Sequence, residues 1–165
     1  MRVPIRKPGK YTHLKPDPCL TETKFSELKY KLERLKFNHP RASEEVKRLA
    51  EMGDFSENAG YQIAKGRLRG MNQKIIELED QIKRATIINP TKNTETVQLG
   101  HKVTVETNNK QKTFLILGSS ETNPSEGIIS HNSPIGSALM KRKVGDKIKI
   151  QTANKEIEYK IIKIA

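Results

Sequence analysis

The chain has 165 residues, 34% of them apolar and 30% charged, and a net charge of +12 at neutral pH; this suits one ordinary domain or two small ones and excludes a single large core. No window approaches the roughly 18 apolar residues of a membrane span, and no apolar run follows the basic N-terminus to make a secretory signal. The only cysteine, Cys19, excludes an internal disulfide, so a reduced, cytoplasmic chain with no membrane partner is expected.

The positive charge is spread along the chain: +4 over residues 1–20, +3 over 21–90 and +5 over 91–165. Such an excess favours nucleic acid or an acidic protein surface as partner, although general solubility would also account for it. Residues 1–19 carry Pro4, Pro8, Pro16 and Pro18 among Arg2, Arg6, Lys7, Lys10 and Lys15. Four prolines preclude a continuous helix, so this segment reads as a flexible basic arm, or as a tail without a role.

Residues 20–88 predict an antiparallel coiled-coil hairpin. Phe25, Leu28, Leu32, Leu35, His39, Ala42, Val46 and Leu49 recur at alternating intervals of three and four. The same alternation returns in Tyr61, Ala64, Leu68, Met71, Ile75, Leu78, Ile82 and Ala85. Both are seams of period 3.5, and two equal seams joined by one short turn pair most simply as a hairpin. Arms of roughly 30 residues would extend about 45 Å. Pro40 removes one helical hydrogen bond but leaves the heptad phase intact, predicting a bend and not a break. Gly66 and Gly70 should loosen the second arm near its tip. His39 reads as a polar register residue, since His13, His39, His101 and His131 lack metal-ligand spacing.

The tip, Gly53-Asp54-Phe55-Ser56-Glu57-Asn58-Ala59-Gly60-Tyr61, has two readings. Asp54 with Glu57 three residues on matches a capping box, in which both acids merely start the second helix. The same two carboxylates could instead supply oxygens to Mg²⁺, in a site that a second molecule would have to complete. Beyond the tip, Lys65, Arg67, Arg69 and Lys74 form an acid-free basic stretch, suited to RNA phosphates or to a solvated face.

Residues 89–96 read as a linker, and 97–165 as a small antiparallel sheet domain with one short helix, making the whole α plus α+β. Strands are expected over 97–107, 113–117, 147–152 and 157–164. Turns are expected at Asn108-Asn109 and Ala153-Asn154, and a helix over 135–141 with Pro134 at its first turn.

The tip resembles the G-D-L-x-E-N-A-x-Y signature of the bacterial GreA/GreB transcript cleavage factors. Further likeness lies in Leu20-Thr21-Glu22, in the stretch from Ile76 to Pro90, in Gly127-x-Ile129-Ser130, in Ser133-Pro134-Ile135-Gly136-x-Ala138-Leu139 and in Val144-Gly145-Asp146. Together these span about Leu20 to Ile164, in order. The resemblance implies an FKBP-like C-terminal domain that docks at the rim of the secondary channel of RNA polymerase, while the coiled coil enters the channel. Asp54 and Glu57 would then take the catalytic positions, sharing Mg²⁺ with the polymerase so that backtracked RNA is hydrolysed; Ser56, Asn58 and Tyr61 would support them. Lys65 would meet the nascent RNA, and Asn123, Pro124, Ser133, Pro134 and Ile135 would serve polymerase docking. Gly60 and Asn123 each stand where the family often has an acid. The implied protein is a monomer that completes another enzyme's site, with DNA as a further candidate partner. Rival readings are a family member that occupies the channel and inhibits, and a coiled-coil nucleic-acid-binding module.

Overall fold

The computed structural model describes residues 17–52, 58–89, 94–107, 110–152 and 155–165. The expected seams form the hairpin. Helix α1 spans Glu22–Glu51 and helix α2 spans Ala59–Arg84. Thr21 caps α1, its hydroxyl accepting from Lys24 N. Every seam residue is buried or half-buried, while the positions between seam residues are mostly exposed, as a period of 3.5 requires. The pairing is antiparallel: Lys36 meets Glu79 at 2.5 Å, His39 Nε2 meets Asn72 Oδ1 at 2.6 Å, and Asn58 Nδ2 donates to Leu49 O at 3.4 Å. His39 is therefore a cross-arm register residue. Pro40 lies inside a helix that runs through it unbroken.

Burial along the rod is uneven. At the base, Leu20, Leu28 and Leu78 form a small core, with Leu32, Leu35, Ile82 and Ala85 packed on it. Among the described residues toward the tip, only Ala64 is buried. The base is also closed by a pair of two-residue strands that the sequence pattern does not announce. Strand β1 (Cys19–Leu20) pairs in parallel with β2 (Thr86–Ile87), clasping the two arms where they enter and leave.

The second unit is a five-stranded sheet. Its strands are β3 (Lys102–Thr107), β4 (Lys110–Leu117), β5 (Ile128–Ser130), β6 (Lys147–Thr152) and β7 (Lys155–Ile164), in the order β5-β4-β3-β7-β6. The expectation of an all-antiparallel sheet needs correcting, because β4 and β5 run parallel. The connection between them uses two 3-10 turns, Ser119–Glu121 and Pro124–Glu126, to return the chain to the same edge. The first strand begins at Lys102 and not near Val97: Gly100 adopts φ 89, a left-handed turn conformation that ends any extended run. Val97 is instead buried in the core. Helix α3 covers Pro134–Leu139, with Pro134 at its start as expected, but stops short of Lys141, whose φ of 64 is incompatible with a continuing helix. The inner face buries Val103, Val105, Ile116, Ile148, Ile150, Tyr159 and Ile161 with Leu139 of α3. The expected turns at Asn108-Asn109 and Ala153-Asn154 and residues 90–93 of the linker lie outside the described residues.

Hydrogen bonds join the hairpin base to the sheet. Glu121 accepts from Thr21 N at 2.7 Å and from the Thr21 hydroxyl at 2.6 Å. Asp17 accepts from Cys19 N, from Ser119 N and from the Ser119 hydroxyl at 3.0–3.1 Å, with His131 Nδ1 at 3.4 Å. Burial pushes the Asp17 carboxyl upward, but these donors and His131 outweigh it and hold the group below its ordinary value. The Cys19 thiol is raised, by burial first and then by the Asp17 charge. The backbones meet closely here: a Cβ on Gly118 would lie 2.0 Å from Cys19 O. Only glycine fits.

Candidate functional site

Two helix ends define the tip. Asn58 is the N-cap of α2: its Oδ1 accepts from Tyr61 N at 3.0 Å, while its Nδ2 reaches Leu49 O near the end of α1. One side chain thus satisfies an orphan donor of α2 and ties it to α1. This overturns the capping-box assignment. Asp54 is not the N-cap of α2, Glu57 precedes the helix, and the first turn of α2 contains no acid. The misreading has a simple origin, since Asp and Asn are comparably good caps and the tip offers both. Asp54, Ser56 and Glu57 themselves lie outside the described residues.

Behind the cap the site residues lie on α2. Tyr61 is half-buried at its seam position, and the Lys65 ammonium sits 5.5 Å from the Tyr61 ring centroid, one turn on. This cation–π contact orients Lys65 along the helix while leaving it exposed. Arg67 and Arg69 are exposed; Lys74 lies 3.7 Å from Glu77 and is partly neutralised. The four expected RNA contacts therefore separate into three near the tip and one tied to an acid.

The expected docking residues cluster where β5 meets α3. Ser133 is fully engaged as the α3 cap: its hydroxyl donates to Ser130 O at 2.7 Å and accepts from Gly136 N at 3.0 Å. Ile135 packs on the sheet core. Asn123 bridges to Ile128 through its backbone, and its Oδ1 accepts from Ser125. That leaves Pro124 and Pro134 as the exposed members. Sequence reasoning missed Asp17 and Glu121, the acids that join hairpin to sheet; their partners lie about a hundred residues away, and no local pattern marks them. Among the described residues no cluster of three His, Cys, Asp or Glu could hold a metal ion, and no helix is long and apolar enough to cross a membrane.

Residues 19–87 match the family described as transcription elongation factor, N-terminal, and residues 92–165 match transcription elongation factor, GreA/GreB, C-term. The chain is 35% identical to the transcription elongation factor GreA of Macrococcus caseolyticus, over 88% of this chain and 95% of that one. It is 36% identical to that of Geobacillus kaustophilus, over 88% and 94%. Among solved structures, the GreA factor homolog 1 (Gfh1) protein of Thermus thermophilus is 27% identical over 88% of this chain and 97% of that chain, with a TM-score of 0.40.

Proposed function

The chain belongs to the GreA/GreB family of transcription elongation factors, and on that premise we propose that it acts on RNA polymerase, in the cytoplasm, by bringing Asp54 and Glu57 to the polymerase's own active centre. The sheet domain docks at the rim of the secondary channel, through the surface around Pro124 and Pro134. The hairpin enters the channel, and α1, with 30 residues, supplies a reach of about 45 Å. Backtracked RNA is then cleaved and a new 3′ end is made. The protein is not a stand-alone enzyme.

The supporting observation is the cap. Because Asn58 is the N-cap of α2, a capping box with Asp54 as that helix's N-cap does not account for the two tip carboxylates. Their donor chemistry suits Mg²⁺, a hard cation that takes carboxylate oxygens together with substrate phosphates and water. Asp54 and Glu57 would hold such an ion jointly with the polymerase; bound there, it would lower the pKa of a water and stabilise charge on the phosphorus oxygens. Lys65, Arg67 and Arg69 meet phosphates of the extruded RNA, and Tyr61 holds Lys65 in place.

The test is a halted, backtracked polymerase complex given this protein with Mg²⁺. Shortened, re-extendable 3′ ends are expected. Polymerase binding without shortening would identify a channel-blocking inhibitor, and failure to bind polymerase would reject the reading outright.

A further inference from the structure

We propose that the sheet unit carries a preformed carboxylate-binding cradle, that its resident occupant is the chain's own Asp17, and that a free carboxylate of matching size binds there once that side chain is removed. The Asp17 side chain is 5% exposed. Its Oδ1 accepts from Cys19 N, two residues on, at 3.0 Å, a local turn that aspartate commonly makes. Its Oδ2 is different. Four donors of the sheet unit converge on that one oxygen: Ser119 N at 3.0 Å, the Ser119 hydroxyl at 3.1 Å, Asn132 Nδ2 at 3.4 Å and His131 Nδ1 at 3.4 Å. They come from two segments, one after β4 and one after β5, both more than a hundred residues along the chain. A local turn requires none of them.

The protons around that oxygen can be assigned. An ionised carboxylate only accepts, so the single Ser119 hydroxyl proton points at Asp17. Ser130 Oγ, 2.8 Å from Ser119 Oγ, is then the donor to it, and accepts in turn from Asn132 N at 3.0 Å. The chain from Asn132 N through Ser130 to Ser119 is polarised toward the bound oxygen at every step. His131 Nδ1 also lies 3.4 Å from Leu117 O; facing two acceptors, that nitrogen carries a hydrogen. The cradle is held without help from Asp17. Ser130 is buried, His131 N donates to Leu117 O at 3.0 Å, and Ser133 donates to Ser130 O from its N at 3.0 Å and its hydroxyl at 2.7 Å. Gly136 packs so closely that a Cβ there would lie 2.0 Å from Ser130 O. The donors therefore stay in place when the carboxylate leaves, and leaving them unmet is costly. In the intact chain the tether keeps Asp17 at a high effective concentration, which dilute free carboxylates do not match. Displacing it would free the segment ahead of β1 from the sheet unit, which makes the contact a latch.

The inference is independent of the tip and is tested without polymerase. Asp17→Gly removes the equivalent of an acetate and Asp17→Ala that of a formate, so each variant has its own matching ligand. Circular dichroism checks folding, and either variant decides the question if the other fails to fold. Melting is followed at neutral pH in acetate, formate, phosphate and chloride at equal ionic strength. Asp17→Gly should gain about 2–6 °C in about 200 mM acetate over chloride, as for a ligand with a dissociation constant of about 10–50 mM. Asp17→Ala should respond more to formate than to acetate, and wild type to neither. Adding Ser119→Ala to either variant should abolish the gain. The amide resonances of Ser119 and of the Asn132 side chain should shift saturably as acetate is added to Asp17→Gly. Melting no higher than in chloride, with no saturable shift, would overturn the proposal. So would an equal gain in wild type or with Ser119→Ala, which would be a general solvent effect, or a preference for phosphate, which would make the cradle an unselective anion site.

Discussion

In the proposed function, Asn58 and the two acids before it divide the work at the tip. Asn58 carries the structural load, through its bonds to Tyr61 N and Leu49 O. On the proposed function, Asp54 and Glu57 serve the chemistry. Asn58→Ala should therefore cost about 1 kcal/mol, the usual value of an N-cap, read as a lower melting temperature. Asp54→Asn and Glu57→Gln should abolish transcript cleavage and leave melting unchanged. A loss of stability in the acid variants equal to that of Asn58→Ala would restore the capping role and remove the case for a metal site. Read from the sequence, the cap falls to Asp54 and Asn58 is a supporting residue; which of the two starts the helix depends on where the first turn forms, and Asn58 is also tied to Leu49 O of the other arm, a contact that no local pattern marks.

The hairpin was the most legible element. Sixteen seam positions recur in phase, and the physical requirement behind them, one buried stripe per helix, is strong enough to fix pairing and direction. The β6 strand, alternating Lys and Ile, was legible for the same reason at period two. The clasp of β1 and β2 and the parallel strand β5 were not: two or three residues are too few to show a period, and their pairing is decided by distant chain. Stability along the rod follows its burial, with a leucine core at the base and, among the described residues near the tip, little beyond Ala64. Gly66 and Gly70 lie on the exposed face of that weaker part, and a Cβ at either would meet nothing within 4 Å. Gly66→Ala and Gly70→Ala should each stabilise by about 0.4–1 kcal/mol, seen as slower amide exchange in α2. Unchanged exchange would mean that the tip-proximal helix is already as firm as the base.

At the scale of the whole molecule, the direction of the rod from the sheet depends on Asp17, Glu121 and the close approach at Gly118. Asp17 has a depressed folded pKa, so its contribution is fully present above the ordinary value of 3.8 and is lost as the pH falls through the lower folded value. Asp17→Asn should melt below wild type at neutral pH, by up to about 1.5–3 kcal/mol for bonds to a charged acceptor. The gap should close as the wild-type carboxylate protonates in acid. A gap independent of pH would show that the charge of Asp17 does not hold the joint.

The claim that the chain lends carboxylates to another enzyme's metal site is tested most directly by titrating Mg²⁺ in the cleavage of a backtracked complex, at saturating factor. Wild type should lower the Mg²⁺ concentration for half-maximal cleavage below that of polymerase alone. Asp54→Asn and Glu57→Gln should return it to the polymerase value while still competing with wild type for the polymerase. If the variants keep the wild-type Mg²⁺ dependence, the carboxylates do not hold the metal, and the account of the tip is wrong.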